Sequence, residues 1–454
     1  MSASRQRKQR ELNLGLGFYR NPDCSSEAFV ATRLSESPTG QIRLMESILE
    51  RENMDRALSR VVKNKGAPGV DDMKVGQLGA YLKRHWPKIR EGLLEGSYEP
   101  MPVRRTEIEK QDGGVRLLGI PTVLDRLIQQ AIAQVLQKVW DHTFSDSSFG
   151  FRPGRSQRHA IEHCRSLLEG GLRYAVDIDL SKFFDRVNHD RLMQRLSSKI
   201  DDKRVLKLIR KYLESGVMIE GVHVETEEGT PQGGPLSPLL SNVVLDELDK
   251  ELEKRSLRFA RYADDCVIYV GSKRAGERVM RSVSRFIVKR LRLKVNEEKS
   301  SVGRPWKSKY LGFSMTDSRK KPKIRIHWKS LERMKEKVRE ITGRNRGRSL
   351  RSVIGELTEY LRGWWGYYGL VESVSSLSRL DSWIRRRLRS LLWKQWKNRR
   401  TRVRELHRRG ISKMTALKTG CSRKGAWRLS KVKWTQIAIP NKHFESLGLV
   451  IPWI

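Results

Sequence analysis

The spacing of apolar residues predicts strands interspersed with helices as far as Trp328, and helices alone after that residue. Residues 1–38 are polar and weakly periodic, which predicts a loosely ordered extension. The predicted helices lie within residues 39–62, before Tyr98, and at 124–140, 189–216, 237–254, 273–290, 329–342, 349–366 and 379–409.

Alternating apolar and polar residues, interrupted by turn sequences, predict the strands. One hairpin is predicted around Asp112-Gly113-Gly114 and a second around Glu220-Gly221, while two apolar half-strands flank Asp264-Asp265. Because strands alternate with helices but hairpins are included, the pattern predicts an α+β fold with a split-βαβ sheet, followed by an all-helical region. The remaining strands are predicted at residues 173–180, 309–315 and 323–328.

The charge balance narrows the class of partner. The 454 residues include 92 Lys+Arg against 52 Asp+Glu, a net charge of +40, so nucleic acid is the first expectation and an anionic membrane surface the second. A membrane-spanning run of about 18 apolar residues is absent, and the basic start lacks the apolar segment of a secretory signal, although it could mimic an organellar transit peptide. The four cysteines form no C-x2-C pair, which suits a reducing cytoplasm.

Acidic residues at two strand ends indicate chemistry in this basic chain. Asp264 and Asp265 are adjacent and repel one another unless a cation or a turn hydrogen bond compensates; an Asx turn that closes the hairpin is the alternative. Asp177 and Asp179 are two residues apart and share one face of their strand. If the strands are neighbours, their carboxylates can hold two Mg²⁺ ions about 4 Å apart, an arrangement that clamps both oxygens of a phosphoryl transfer. A nuclease and a polymerase are both open at this point.

An ordered series of motifs over residues 41–315 resembles the reverse transcriptases. Their YxDD motif is similar to RYADD (261–265), and their first catalytic motif is similar to VDIDLSKFFDRVNHDRL (176–192). The remaining motifs follow in family order as NKGAPGVD, GGVRLLGIPTVLDRLIQQA, FGFRPGRS, TPQGGPLSPLLSN, LKVNEEKS and KYLGF.

The last quarter of the chain resembles a particular group of these enzymes. The maturase domain, or domain X, of group II intron proteins is similar to LRGWWGYYG (361–369) and LDSWIRRRLRSLLWKQWK (380–397). The tail resembles the short DNA-binding region of bacterial class C members. Relatives of other classes end in an HNH endonuclease rich in Cys and His, and the chain reaches Ile454 without such a cluster, so second-strand DNA cleavage is not expected.

The resemblance implies a right-hand polymerase with a helical thumb. It places an N-terminal extension at 1–40, fingers at 41–170, a palm with the catalytic site at 171–328, a thumb or maturase domain at 329–410 and a DNA-binding tail at 411–454.

By the same resemblance, Asp179, Asp264 and Asp265 are the catalytic residues and the ligands of two Mg²⁺ ions, with the Leu180 backbone as a further ligand. Asp177 also points the right way by strand period, but the family motif places the ligand in DLSKFF, so Asp177 is assigned a structural role together with Asp185.

The resemblance also implies how the incoming nucleotide is held. Phe184 is the expected steric gate beneath the sugar, with an ordinary core Phe as the alternative, and Gln232 is expected to line the nucleotide pocket. Lys110 and Arg116 flank a hairpin turn and are expected to grip the triphosphate, with a solvated hairpin as the alternative.

Further roles concern the leaving group, the primer and RNA. Lys299 is a candidate general acid toward pyrophosphate, and a backbone contact is equally open. The expected primer grip consists of Tyr310, Leu311, Gly312 and Phe313. The expected RNA-binding residues are Asn64 and Lys65 in a template lid, and the thumb residues Arg344, Arg346, Arg348, Arg385, Arg386 and Arg389.

The resulting expectation is an RNA-directed DNA polymerase of a mobile group II intron. It would use dNTPs, a primer and Mg²⁺, bind its own intron RNA to assist splicing, and copy that RNA into target DNA in a bacterial cytoplasm. A binding-only maturase with a vestigial polymerase and a reverse transcriptase of another lineage, such as a retron, are the rivals. The sequence HAIEH (159–163) fits an inverted zinc-protease motif, but no zinc and no membrane partner are expected.

Overall fold

The computed structural model describes residues 43–109, 115–219, 222–224, 229, 233–318, 321–372 and 374–453. In this part of the chain, no helix combines the length and the apolar content that crossing a bilayer requires.

Helices and a small sheet form the N-terminal part of the structure. Two strands of this sheet, at residues 217–219 and 222–224, come from the range predicted as palm and not from the range 41–170 predicted as fingers. The sheet has the order β2-β1-β4-β5, in which β1 and β4 are parallel and the other pairs are antiparallel. Thr122 begins α4 because its side chain accepts a hydrogen bond from the Asp125 backbone N–H. The elements are α1 (Leu44–Ile48), α2 (Arg51–Asn64), α3 (Leu78–Glu95), β1 (Val103–Glu109), β2 (Val115–Ile120), α4 (Val123–Trp140), β4 (Val217–Ile219) and β5 (Val222–Val224).

An antiparallel sheet with the order β6-β7-β3-β8 lies within residues 171–328, the range predicted as palm, and the helix at residues 157–169, from the range predicted as fingers, packs on it. One face packs on α5, and the other packs on α8 and α9, so the chain order around the sheet is the predicted split-βαβ arrangement. Helix α9 continues into one π-helical turn, Ile287–Leu291. The elements are α5 (Gln157–Glu169), β3 (Tyr174–Ile178), α6 (His189–Ser197), α7 (Lys203–Glu214), α8 (Ser237–Lys254), β6 (Arg258–Tyr262), β7 (Asp265–Val270), α9 (Lys273–Phe286) and β8 (Ser301–Gly303).

A short hairpin leads into the helical region. After β10, the described residues contain helices and connecting segments but no strand, as predicted. The predicted helical stretch 379–409 is two helices, because Asn398 caps the N-terminus of the second through the Thr401 N–H. The elements are β9 (Phe313–Met315), β10 (Ile324–Ile326), α10 (Trp328–Ile341), α11 (Leu350–Tyr368), α12 (Val374–Gln395), α13 (Arg399–Arg408), α14 (Lys413–Gly420), α15 (Ala426–Leu429), α16 (Lys433–Ala438) and α17 (Asn441–Ser446).

The hydrophobic cores do not follow the predicted domain boundaries. One core runs from α1 through the palm to Leu293, so fingers and palm share it. A second core unites the thumb helices with the tail, where Phe444 is fully buried and Trp453 contacts Trp364 edge-on at 5.6 Å. Residues 411–453 therefore pack as part of the helical domain and not as a separate tail.

Candidate active site

The register of the palm sheet brings the predicted carboxylates to one edge. β3 pairs with β7 so that Ile178 lies opposite Cys266. Asp179 follows β3 directly, and Asp264 and Asp265 form the end of the β6–β7 hairpin. Asp179 therefore lies beside the end of the β6–β7 hairpin, as expected if the two acid-bearing strands are neighbours.

Electrostatics confirm this proximity. Burial, followed by repulsion from Asp264 and Asp179, raises the pKa of Asp265 to about 6, while Lys309 acts in the opposite direction. The Asp265 side chain is nevertheless exposed to solvent, as expected for a carboxylate crowded by protein atoms on the floor of an open cleft. A bound cation would relieve this repulsion, so the chemistry of the donor set fits a hard divalent ion.

The carboxylates do not form a finished coordination shell. Within the described residues, no group of three or more His, Cys, Asp or Glu side chains is arranged to hold a metal ion. Burial raises the pKa of Asp177 to about 6, and its carboxylate accepts a hydrogen bond of 2.7 Å from Ser308 Oγ. Asp177 is thus tied to a neighbouring segment, in agreement with the structural role assigned to it.

A fully buried arginine, which was not predicted from the sequence, braces the turn that carries Asp264 and Asp265. Arg261 makes a bidentate contact with Asp249 of α8, at 2.7 and 2.5 Å. Its guanidinium also donates to Asn242 Oδ1 at 3.0 Å, to the Ala263 carbonyl at 2.9 Å and to Ser148 Oγ at 2.8 Å. Because Ala263 directly precedes Asp264, Arg261 links the turn that carries Asp264 and Asp265 to α8 and to the 145–150 loop.

The backbone of that loop touches the turn itself. A Cβ atom on Gly150 would lie 2.3 Å from the Ala263 nitrogen, so only glycine fits there. Ala263 has a positive φ of 57°, and Asn242 donates to the Gly150 carbonyl at 2.9 Å. The arginine in RYADD and the first glycine of FGFRPG were the available sequence signals for this contact.

The segment 294–300 holds Asp179 from the other side. The Asp179 N–H donates to Ser300 Oγ at 3.1 Å, and the Asn296 N–H donates to the Asp179 carbonyl at 2.8 Å. Leu180 pairs with Val295 in an isolated antiparallel bridge. Lys299 lies in this segment and is exposed, and both roles considered for it stay predictions.

The predicted nucleotide pocket is described in part. Phe184 is buried and meets Phe183 edge-on at 5.2 Å between centroids. Gly229, at φ 99°, lies against the backbone carbonyl of Phe184. Gly233, at φ 126°, approaches Gly119 closely, as expected for the glycines of the pocket motif.

The side chains of three predicted nucleotide-binding residues lie outside the described part of the structure. Lys110 and Gln232 lie outside the described residues, and Arg116 is placed by its backbone, opposite Ile108 in the hairpin. The predictions for these residues therefore remain predictions.

The predicted primer grip is a tight turn braced by the thumb. Tyr310 and Phe313 exchange backbone hydrogen bonds of 3.1 and 2.9 Å, and Leu311 and Gly312 have positive φ values of 48° and 83°. The Tyr367 hydroxyl of α11 donates to the Leu311 carbonyl at 3.1 Å. The turn is thus fixed where palm and thumb meet.

The predicted template lid lies at the end of α2. Asn64 and Lys65 are both exposed, and Lys65 adopts the left-handed conformation that ends the helix. Arg126 of α4 donates to the Ala67 carbonyl at 2.6 Å and so anchors the turn on the fingers.

The thumb arginines divide into two sets. Arg344 and Arg346 are exposed, and Arg346 pairs with Glu340 at 3.7 Å, while the half-buried Arg348 pairs with Glu356. Arg385 and Arg389 are buried. Their donors engage Asp381, Glu445, the Ile439 carbonyl and Asn441, all within the helical domain.

The hydrogen bonds of Arg385 and Arg389 hold the tail on α12, and the predicted RNA contact of these two residues stays a prediction. Arg386 also contacts the tail: it donates to the Trp427 carbonyl at 2.9 Å, and its guanidinium lies 3.9 Å from the centroid of the Trp427 ring.

Comparison with known proteins decides the family. Residues 108–315 match the family profile of reverse transcriptase (RNA-dependent DNA polymerase), and residues 331–410 match the group II intron, maturase-specific domain. The chain belongs to the group II intron reverse transcriptases. The predicted fold class and the predicted activity, RNA-directed DNA polymerase, are confirmed by this membership.

Individual relatives of this reverse transcriptase match over different lengths. It is 33% identical to Protein YkfC of Escherichia coli strain K12 over 314 residues, 60% of this chain and 82% of that protein. It is 37% identical to the group II intron-encoded protein LtrA of Lactococcus lactis subsp. cremoris over 223 residues, 48% of this chain and 36% of LtrA. A partial Cas6-RT-Cas1–Cas2 complex aligns with a TM-score of 0.36 at 24% identity, covering 58% of this chain and 46% of that one.

Proposed function

We propose that this reverse transcriptase extends a DNA primer on an RNA template with dNTPs, and that Asp179, Asp264 and Asp265 hold two Mg²⁺ ions for the reaction. The observation that supports the proposal is the meeting of Asp179 with the Asp264–Asp265 hairpin at one sheet edge, inside the region that matches the polymerase family. Reverse transcriptases as a class use Mg²⁺.

The chain's own residues supply positioning. Two divalent ions bound at such carboxylates provide the charge that stabilises the attacking and leaving oxygens. Ser300 and Asn296 fix the backbone of Asp179, and Arg261 fixes the turn that carries the other two acids. The buried Phe184 ring is the proposed gate that favours deoxynucleotides. Lys299 is the proposed proton donor to the leaving pyrophosphate.

We further propose that the helical domain binds the intron RNA from which the protein is expressed. The support is the maturase-specific match over residues 331–410, together with exposed cations such as Arg344 and Arg346 and the net charge of +40. LtrA is named as a group II intron-encoded protein, and assistance in splicing, copying of the intron into target DNA and a bacterial cytoplasmic location are proposed here by that similarity.

Primer extension on an RNA template tests the polymerase proposal. The wild type should make product with Mg²⁺, and Asp179→Asn should make none, because a neutral amide replaces a ligand carboxylate. Asp201→Asn removes an exposed acid between α6 and α7 and serves as the matched control. Full activity of Asp179→Asn would exclude Asp179 as a metal ligand, and Asp177 would then be the candidate ligand on this strand.

A further inference from the structure

Helix α9 on the outer side of the palm carries a row of arginines that the proposed polymerase site does not use. Arg274, Arg278, Arg281 and Arg285 are all exposed. Their spacing of four, three and four residues places them within an arc of about 60° on a helix with 3.6 residues per turn. The row of these four residues is called the arginine row below.

The opposite face of α9 fixes the orientation of the arginine row. Val283 and Ile287 are buried against the palm sheet. Gly276 lies so close to β8 that a Cβ atom would stand 2.6 Å from Val302 Cγ1. Because the helix is held by this close packing, its apolar face is not available to a membrane, and the arginine row must point to solvent.

The charges of the row are largely uncompensated. The sequence of α9 includes one acid, Glu277, which pairs with Lys273 at 3.7 Å and accepts from Arg281 through its main-chain carbonyl at 3.4 Å. On neighbouring α8, Glu251 is engaged by Arg255. Among the residues that the structure describes, the side chains of Arg274, Arg278 and Arg285 have no hydrogen-bond or ion-pair partner.

The high overall charge of the chain does not explain the arginine row. Helix α10 is also basic, but its cations are interleaved with acids on the same surface. Glu332 pairs with Lys335 and Arg339, and Glu340 pairs with Lys337. Like charges one turn apart destabilise a helix, so a row without acids reduces stability unless a ligand neutralises it.

We propose that the arginine row binds the phosphate backbone of structured RNA, at a surface separate from the catalytic edge. A cation on each helical turn, every 5.4 Å, suits a regular polyanion. Lys289 and Arg292, in and after the π-helical turn that follows α9, are two further exposed cations. RNA is favoured over DNA because the same chain carries a maturase-specific domain, and in this respect the inference rests on the proposed function.

The test compares two variants of equal charge in a binding assay. In the first, Arg274, Arg278, Arg281 and Arg285 are all changed to Gln; in the control, the α3 residues Lys83, Arg84, Lys88 and Arg90 are changed to Gln. The probe is a labelled self-complementary RNA hairpin, with a DNA hairpin of the same sequence beside it, titrated at several KCl concentrations. All eight positions are exposed, so both variants should fold, which circular dichroism checks.

The arginine-row variant should lose at least about tenfold in affinity for the RNA hairpin at low salt, with a salt slope lower by about 3, since each phosphate contact contributes about 0.7–0.9. The control should lose clearly less. An unchanged slope, equal losses in both variants, or a loss confined to the DNA hairpin would overturn the proposal.

Primer extension on a short poly(rA)/oligo(dT) substrate separates this inference from the proposed function. The arginine-row variant should match the wild type there, because the row lies on the exposed face of α9, opposite the face that packs on the palm sheet. Failure of the wild type itself to extend the primer would contradict the polymerase proposal and leave the RNA-binding result valid.

Discussion

Replacement of Arg261 by Met tests whether the buried network holds the catalytic turn. The change removes the guanidinium from a site with no solvent exposure and leaves Asp249, also fully buried, without its partner. Three further acceptors, Asn242 Oδ1, Ser148 Oγ and the Ala263 carbonyl, lose a donor. Breaking a buried ion pair from one side costs about 3–5 kcal/mol, so Arg261→Met should lower the free energy of unfolding by that amount.

A double variant separates stability from positioning. Arg261→Met with Asp249→Leu removes both charges, and replacing a buried pair by apolar groups is often close to neutral, so most of the lost stability should return. Primer extension should stay impaired at saturating dNTP and Mg²⁺, because the Ala263 carbonyl still lacks its tether.

The assays are urea unfolding and primer extension, and Arg258→Met is the control, since Arg258 is an exposed arginine on the same strand. A double variant as unstable as the single one would contradict the stabilising role of the ion pair. Full activity of Arg261→Met would contradict the positioning role of Arg261.

The remaining predictions concern the turn, the acids and the tail. Gly150→Ala should reduce primer extension strongly, measured as kcat, because the new Cβ would collide with the Ala263 backbone, and wild-type kcat would contradict this. The folded-state pKa of Asp265, about 6, lies above its ordinary 3.8, so ionisation of this group costs stability progressively as pH rises from about 4 to 6. In EDTA, Asp265→Asn should therefore raise the melting temperature relative to the wild type more at pH 7 than at pH 4, and a pH-independent difference would contradict the electrostatic account. Arg389→Ala should destabilise the protein by about 1–3 kcal/mol by leaving the buried Ile439 carbonyl without its donor, whereas Arg346→Ala on the surface should change stability by less than about 0.5 kcal/mol. Equal effects in thermal unfolding would argue against the docked tail.

Much of the fold was accessible from the sequence because it depends on local periodicity. The helix predicted at 237–254 is α8, Ser237–Lys254, and the interruption at Asp264-Asp265 is the end of the β6–β7 hairpin. The neighbour relation of β3 and β7 was conditional at that stage, since strand order is not contained in local pattern.

The missed features depend on contacts distant in sequence. An arginine in a strand suggests exposure, and the burial of Arg261 is possible because Asp249 and Ser148 approach from other elements. The arginines of α12 were assigned to RNA by charge alone. Residues 411–453 fold back over α12 and accept hydrogen bonds from Arg385 and Arg389. No periodic pattern in the sequence predicts this packing.

We propose that one carboxylate cluster performs RNA-templated DNA synthesis and that the protein binds structured RNA independently of this cluster. The most direct measurement pairs primer extension with structured-RNA binding for the wild type and Asp264→Asn. Product is expected from the wild type alone, and the RNA affinity of the variant should stay within a few-fold of the wild-type value. Absence of product from both proteins together with tight RNA binding would contradict the proposal, and would indicate a binding-only maturase with a vestigial polymerase.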